Sequence, residues 1–143
     1  MAVRKSTIEM VTPGLFRATG YSGAVVPIHL PAEGEARVGP GPMEMVVLGA
    51  GGCTMSDVLD ILRKQREDVR AFRLEIESER AKGPPAVLTR VRLRYVIQGD
   101  IQEKHVKRAI ALSQEKYCSV SIMLKRAGVN VTTSYEIERP RAI

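Results

Sequence analysis

A stretch of small and apolar residues in the middle of the chain constrains the fold more than any other feature. Residues 43–67 read MEMVVLGAGGCTMSDVLDILRKQRE and predict one long α-helix, because apolar or small residues recur at spacings of three and four. The first half of this helix is apolar or small on every side, so residues 45–55 are predicted to lie in the middle of the protein or of an oligomer. Its glycines each weaken a helix by about 1 kcal/mol relative to alanine, which indicates close approach of another backbone. The predicted stripe comprises Met45, Leu48, Gly52, Met55, Leu59 and Leu62.

Short apolar segments before this helix predict a three-stranded antiparallel meander. The Pro13-Gly14 pair is a strong turn signal between the first two segments, and Pro27 marks the third as an edge strand or an irregular one. The Gly- and Pro-rich residues 31–42 then predict a long loop of the kind that often carries function. The three predicted strands are residues 6–12, 15–21 and 24–30.

The second half of the chain predicts a hairpin, two helices and a last strand. Clean alternation of apolar and charged residues predicts the hairpin, and Gly128 is placed to end the second helix. The whole pattern predicts a single α+β domain over residues 1–143. The predicted elements are strands 71–81 and 87–98, helices 101–113 and 114–127, and strand 129–137.

Composition narrows the class of protein. The 143 residues are 44% hydrophobic, enough for a core, but they contain no run of about 18 apolar residues, and the N-terminus is too polar for a signal peptide. We therefore expect a cytoplasmic protein with no membrane span. The net charge of +6 is compatible with an anion-binding patch, but acids are interleaved with the bases, Trp is absent and other aromatics are few. The composition thus does not favour nucleic-acid binding.

The two cysteines are the most informative residues for function. Cys53 lies in the apolar half of the long helix, and Cys118 lies near the start of a predicted helix, where backbone amides lower a thiol's pKa. Each by itself also fits a buried packing role. The chain has no CxxC motif, and His29 and His105 are far from both cysteines in sequence, so we expect no metal site and no cofactor.

Reduction of a peroxide by a thiol needs a thiolate, a positive partner and a dry, apolar approach. The apolar helix around Cys53 offers the dry approach. Arg37, in the long loop, and Arg17, on the second predicted strand, are the candidates for the positive partner. Both arginines also fit solvated surface charges, and proximity to the long helix favours Arg37.

Two motifs in this chain resemble those of the OsmC/Ohr family, whose names refer to osmotically inducible protein C and organic hydroperoxide resistance. The stretch PMEMVVLGAGGCTMSDVL, residues 42–59, resembles the family's first-cysteine helix, and EKYCSVS, residues 115–121, resembles its second-cysteine segment. The residues of these two motifs are most similar to those of the YhfA-like branch of the family. The resemblance implies an OsmC-like α+β fold, with two small antiparallel sheets around a long central helix, in an intertwined homodimer with active sites at the interface.

The resemblance also implies roles for particular residues. Cys53 would be the peroxidatic thiolate, Cys118 would resolve its sulfenic acid as a disulfide, and Glu44 would hold an arginine, Arg37 or Arg17, against the thiolate. Glu44 equally fits the first turn of a helix, where the helix dipole favours an acid. The implied partners are a second copy of the chain, a hydroperoxide substrate, and a dithiol or lipoylated-protein reductant.

Three functions remain open on the sequence. The first is a cysteine-based peroxidase that reduces organic hydroperoxides, with hydrogen peroxide as a further candidate substrate. The second is an OsmC-fold redox sensor or apolar-ligand-binding protein with weak or no peroxidase activity, which an arginine too far from Cys53 would favour. The third is a basic nucleic-acid-binding module, which a contiguous Lys/Arg face and steeply salt-dependent binding would favour.

Overall fold

The computed structural model describes residues 2–140, and its first compact unit carries an antiparallel meander. Strand β2 lies between β1 and β3, which confirms the predicted order and places the Pro27-containing strand at an edge. Gly14, in the turn after β1, has φ of +87°, and a Cβ there would lie 2.6 Å from the Leu30 carbonyl oxygen. The turn therefore requires glycine. The strands are β1 (Thr7–Thr12), β2 (Leu15–Thr19) and β3 (Val25–His29).

Helix α1 spans Pro42–Lys64, close to its predicted bounds. Its buried side chains are Ala50, Thr54, Val58 and Leu62, spaced by four, so within one chain the buried face differs from the predicted stripe, of which only Leu62 is fully buried. Near Cys53 the face toward the sheet consists of small residues, Ala50, Gly51 and Thr54, and farther along the helix Val58 and Leu62 are buried.

Helix α1 packs on the second unit's sheet with one face. A Cβ at Gly51 would lie 2.6 Å from Cδ1 of Ile76, so glycine permits the close approach that the sequence indicated. Among the described residues, α1 is the one helix long and apolar enough to cross a membrane by length and composition alone, a test that the core helix of a soluble protein also passes. The expected absence of a membrane span stays a prediction.

The second unit contains a three-stranded sheet in which β5 is central. Strands β4 and β5 form the predicted antiparallel hairpin, but β6 pairs with β5 in parallel. The expectation of two antiparallel sheets is therefore wrong for this one, which is mixed. Two helices separate β5 from β6, and such a crossover returns the chain in the same direction. The strands are β4 (Ala71–Arg80), β5 (Leu88–Gln98) and β6 (Asn130–Glu138).

The crossover between β5 and β6 differs from the prediction at one point. Helix α2 spans Glu103–Leu112, a π-helical turn follows at Ser113–Tyr117, and α3 spans Ser119–Arg126. The single helix predicted over 114–127 is therefore wrong. Cys118 interrupts it with an extended backbone, φ −74° and ψ 97°, and becomes the N-cap of α3. Gly128 has φ of +94° after the end of α3, as predicted.

The core of the second unit is built on β5. Its inward face consists of Val91, Leu93, Tyr95 and Ile97, all essentially without solvent exposure, as the alternation predicted. This face lies under α1, because the Tyr95 hydroxyl reaches Thr54 of that helix. The sheet thereby fixes the part of α1 that carries Cys53. The prediction of a single domain over 1–143 is not tested by this division and stays a prediction.

Candidate functional site

The fold brings the two cysteines together although they are 65 positions apart in sequence. The sulfurs of Cys53 and Cys118 and a carboxylate oxygen of Asp57 all lie within 4.8 Å of one another. Cys53 and Asp57 are one helical turn apart on α1, whereas Cys118 comes from the break before α3. Neither cysteine is in a disulfide.

Cys53 is half-buried and has hydrogen-bond donors around its sulfur. Its Sγ lies 3.8 Å from the Ser119 hydroxyl. Burial raises the pKa of the Cys53 thiol, but hydrogen bonds from the Val120 amide, Cys118 and Ser119 outweigh it and leave the pKa below its ordinary value. The first turn of α3 thus supplies the amide that favours the Cys53 thiolate.

Cys118 lies in the opposite environment. It is completely buried, and its Sγ is 3.2 Å from the Ser121 hydroxyl and accepts a hydrogen bond from the Ser121 amide at 3.4 Å. Burial is the largest cause that raises the pKa of the Cys118 thiol, and the neighbouring Cys53 raises it further. The pair is therefore asymmetric, with the more accessible sulfur also the more acidic one.

A buried polar network lies beneath the two cysteines. The Thr54 hydroxyl is 2.6 Å from the Tyr95 hydroxyl and 2.8 Å from the Ser113 hydroxyl, and Gln114 donates to Thr54 at 3.1 Å. These contacts tie α1 and β5 to the π-helical turn that precedes Cys118. The sequence analysis did not predict this network. Its visible signals were Thr54, which directly follows Cys53, and the polar pair Ser113-Gln114, which ends four positions before Cys118.

The network reaches both Asp57 and Cys118. At one end Ser113 donates to the Asp57 carboxylate at 2.9 Å. At the other end Gln114 donates to Ser121 at 3.3 Å, and Ser121 contacts Cys118. Among residues 2–140, the Gln114 side-chain oxygen is the one buried side-chain polar atom without a hydrogen-bond partner. The site is thus held by a nearly complete set of hydrogen bonds, which orients its members.

The other predicted site residues lie in the first unit. Arg37 donates to the backbone carbonyl of His29 at 2.8 Å and to that of Gly39 at 3.4 Å. The Glu44 carboxylate accepts the Gly41 amide at 3.2 Å, which is the helix-capping contact expected of a first-turn acid. Arg17 lies on β2, opposite Pro27. The roles predicted for these three residues at Cys53 stay predictions.

Comparison with known proteins identifies the class to which this fold and cysteine pair belong. The family model described as OsmC-like protein matches residues 33–134, and the chain belongs to that family. The resemblance seen in the two cysteine motifs is thereby confirmed.

The chain is also similar to individual proteins of known sequence or structure. The chain is 46% identical over 99 residues to "Protein YhfA" of Escherichia coli K12, a match that covers 68% of this chain and 73% of YhfA. A crystal structure of a hypothetical protein from Aquifex aeolicus VF5 superposes with a TM-score of 0.86 and 28% identity, covering 99% of this chain and 100% of that one.

A protein named for resistance to organic hydroperoxides has a similar fold. The organic hydroperoxide resistance protein OhrB of Bacillus subtilis superposes with a TM-score of 0.65, covering 94% of this chain and 98% of OhrB. Its 16% identity shows a shared fold. The chain is thus an OsmC-like protein with two neighbouring cysteines in an α+β fold.

Proposed function

We propose that this protein is a thiol peroxidase that reduces organic hydroperoxides through Cys53 and Cys118. The observation that carries the proposal is the asymmetric pair itself. The half-buried Cys53 has the lowered pKa, the buried Cys118 has the raised one, and their sulfurs lie within 4.8 Å. An attacking thiol needs access and thiolate character, whereas a resolving thiol needs proximity.

In the first step the Cys53 thiolate attacks the distal oxygen of a hydroperoxide. The O–O bond breaks, Cys53 is oxidised to a sulfenic acid, and the substrate leaves as an alcohol after taking up a proton. The Val120 amide and the Ser119 hydroxyl, which favour the Cys53 thiolate before attack, support this assignment. The same chemistry would reduce hydrogen peroxide to water.

In the second step Cys118 attacks the Cys53 sulfenic acid. A sulfur–sulfur bond forms, the sulfur–oxygen bond breaks and water leaves. A disulfide has a sulfur–sulfur length of about 2.05 Å, so the sulfurs need to approach by at most about 3 Å from their separation of under 4.8 Å. An external dithiol or a lipoylated protein would then reduce the disulfide by thiol–disulfide exchange.

The proposal assigns supporting roles to residues of the first unit. Glu44 would hold Arg37 or Arg17 beside Cys53, where a guanidinium favours the thiolate by Coulomb attraction. The site would be completed at the interface of a homodimer. The need for a reducing dithiol pool also leads us to propose a cytoplasmic location.

The test is a thiol count on the reduced protein before and after one equivalent of cumene hydroperoxide. We expect the wild type to lose both thiols quickly, Cys118→Ser to consume peroxide once, and Cys53→Ser to be inert. Thiols that survive in the wild type, or react no faster than free cysteine, would reject the peroxidase.

A redox sensor or apolar-ligand-binding protein of the same fold is the second candidate. The contacts of Arg37 with two backbone carbonyls favour it, because they occupy donors of the guanidinium that a thiolate would otherwise use. A disulfide that forms slowly with peroxide, but changes the binding of an apolar probe, would support this candidate.

A further inference from the structure

Asp57 is the member of the cysteine cluster that the proposed peroxidase steps do not use. Its carboxylate lies within 4.8 Å of both sulfurs. We propose that the reduced protein binds one soft divalent cation of the Zn²⁺ type through Cys53, Cys118 and Asp57. The sequence analysis expected no metal site, because these ligands come from α1 and the N-cap of α3 and form no CxxC motif.

The donor set matches this class of cation. Thiolates favour Zn²⁺ and similar soft ions over Mg²⁺ or Ca²⁺, and a carboxylate is an accepted third ligand of Zn²⁺. Zinc–sulfur bonds of about 2.3 Å in a tetrahedral site place two sulfurs about 3.8 Å apart. Ligand atoms that already lie within 4.8 Å of one another therefore need to close by only about 1 Å.

The surroundings of the ligands hold them in place. Ser113 donates to the Asp57 carboxylate at 2.9 Å, an outer contact of the kind that orients metal-bound carboxylates. Cys53 and Asp57 project from the same face of α1 because they are four residues apart on it. Cys118 is fixed as the N-cap of α3 by the Ser121 amide.

A cation can reach the three ligands from one side of the cluster. Cys118 is completely buried, whereas Cys53 and Asp57 are half-buried, so a cation can enter from the side of α1. Three protein ligands leave a fourth position for water, as in open zinc sites. Binding releases the protons of both thiols to solvent, so affinity is expected to rise with pH.

The site links metal binding to the redox state of the pair. A Cys53–Cys118 disulfide has no thiolates to offer, so oxidised protein is expected not to bind. If the proposed peroxidase function holds, a bound cation also blocks attack by Cys53 on peroxide. That consequence rests on the proposed function, whereas metal binding does not.

The experiment titrates the reduced, metal-free full chain with Cd²⁺ and follows the ultraviolet thiolate-to-cadmium charge-transfer absorbance. Zn²⁺ is then measured by competition against a chromophoric chelator. We expect one ion per chain, and at least about tenfold weaker binding in Cys53→Ser, Cys118→Ser and Asp57→Asn, since even outer-shell changes weaken metal sites by that much. Circular dichroism of each variant checks that it remains folded.

Asp60→Asn is the matched control, because it removes the same charge from an exposed position of α1. It should bind Cd²⁺ like the wild type. The proposal is overturned if no charge-transfer band appears, if Asp57→Asn binds as tightly as Asp60→Asn, or if the disulfide form binds as well as the reduced form. Peroxide consumption by the metal-free protein tests the proposed function separately.

Discussion

The two thiols of this protein have the same intrinsic chemistry and differ only in their neighbours. Both sulfurs have a backbone amide and a serine hydroxyl beside them, but Cys53 is half-buried whereas Cys118 is completely buried, and burial is the largest cause that raises the pKa of Cys118. Because the pKa of Cys53 is lowered, a larger fraction of it is thiolate at any pH below its titration midpoint. The sequence places both residues near helices but does not reveal this difference.

At the residue scale, Ser119→Ala is predicted to raise the pKa of Cys53 by removing a hydrogen-bond donor. In a Cys118→Ser background, where Cys53 is the only cysteine, alkylation by iodoacetamide should increase with pH, and its midpoint reports the titration of Cys53. Adding Ser119→Ala should move the midpoint upward and slow alkylation at neutral pH.

Ser56→Ala is the control for this measurement, because Ser56 is an exposed residue of the same helix as Cys53. It should leave the midpoint unchanged. An equal midpoint with and without Ser119 would mean that this hydroxyl does not stabilise the thiolate.

At the scale of elements, the buried network joins α1, β5 and the π-helical turn. Tyr95 contacts both Thr54 and Gln114, and burial raises the pKa of Tyr95, so its hydroxyl stays neutral. We predict that Tyr95→Phe lowers the free energy of unfolding by about 1–3 kcal/mol, because it removes two buried hydrogen bonds, to Thr54 and Gln114, each worth about 0.5–1.5 kcal/mol. Urea unfolding measures this loss.

Tyr135→Phe gives the comparison for this substitution. The Tyr135 hydroxyl donates to Glu103 at an exposed contact, so its removal should change stability by less than about 1 kcal/mol. An equal decrease in the free energy of unfolding in the two variants would contradict the expectation that the buried network contributes more to stability than the exposed contact.

The packing of α1 on the sheet gives a second prediction at this scale. A Cβ at Gly51 would lie 2.6 Å from Cδ1 of Ile76, so Gly51→Ala should destabilise the fold by about 1 kcal/mol despite alanine's better helix propensity. Ile76→Val removes that methyl group and should restore part of the loss.

A double-mutant cycle measures this compensation, with an expected coupling of at least about 0.5 kcal/mol between the two positions. Additive effects would show that Gly51 and Ile76 do not compete for space. Val91→Ala, elsewhere in the core, is expected to show no such coupling with Gly51→Ala.

At the scale of the whole molecule, one chain leaves large apolar side chains on its surface. Leu48 on α1 is 56% exposed and Met123 on α3 is 68% exposed. The sequence predicted that residues 45–55 lie inside the protein or an oligomer, and within one chain Leu48 does not. We therefore propose that a second copy covers these residues, in agreement with the implied homodimer.

We predict that Leu48→Glu converts the dimer to a monomer, because it places a charge in an apolar interface. Size-exclusion chromatography with light scattering reports the mass. Val87→Glu is the matched control, since Val87 is 52% exposed in the connection between β4 and β5 and should not change the mass. A monomeric wild type, or a dimer that survives Leu48→Glu, would reject this interface.

The charge distribution of the second sheet agrees with the expectation against nucleic-acid binding. Arg90, Arg92 and Arg94 project from β5, and each lies beside a glutamate of β4. The basic residues on this face are therefore neutralised within the protein rather than left as a phosphate-binding surface.

Most helices and strands of this fold could be predicted from local patterns in the sequence. Strand alternation, turn residues and helical periodicity are local signals, and they predicted all six strands, the long helix and the end of α3 at Gly128. The two cysteine motifs also sufficed to predict the OsmC-like family. Both successes rest on residues that are close together in the chain.

How these helices and strands meet could not be predicted from local patterns and became visible in the three-dimensional fold. The proximity of Cys53 and Cys118, the buried network and the place of Asp57 depend on contacts between residues more than 40 positions apart. The parallel pairing of β6 and the buried face of α1 likewise depend on partners far away in sequence. Local periodicity contains no information on such pairings, because packing against a distant element selects the face that becomes buried.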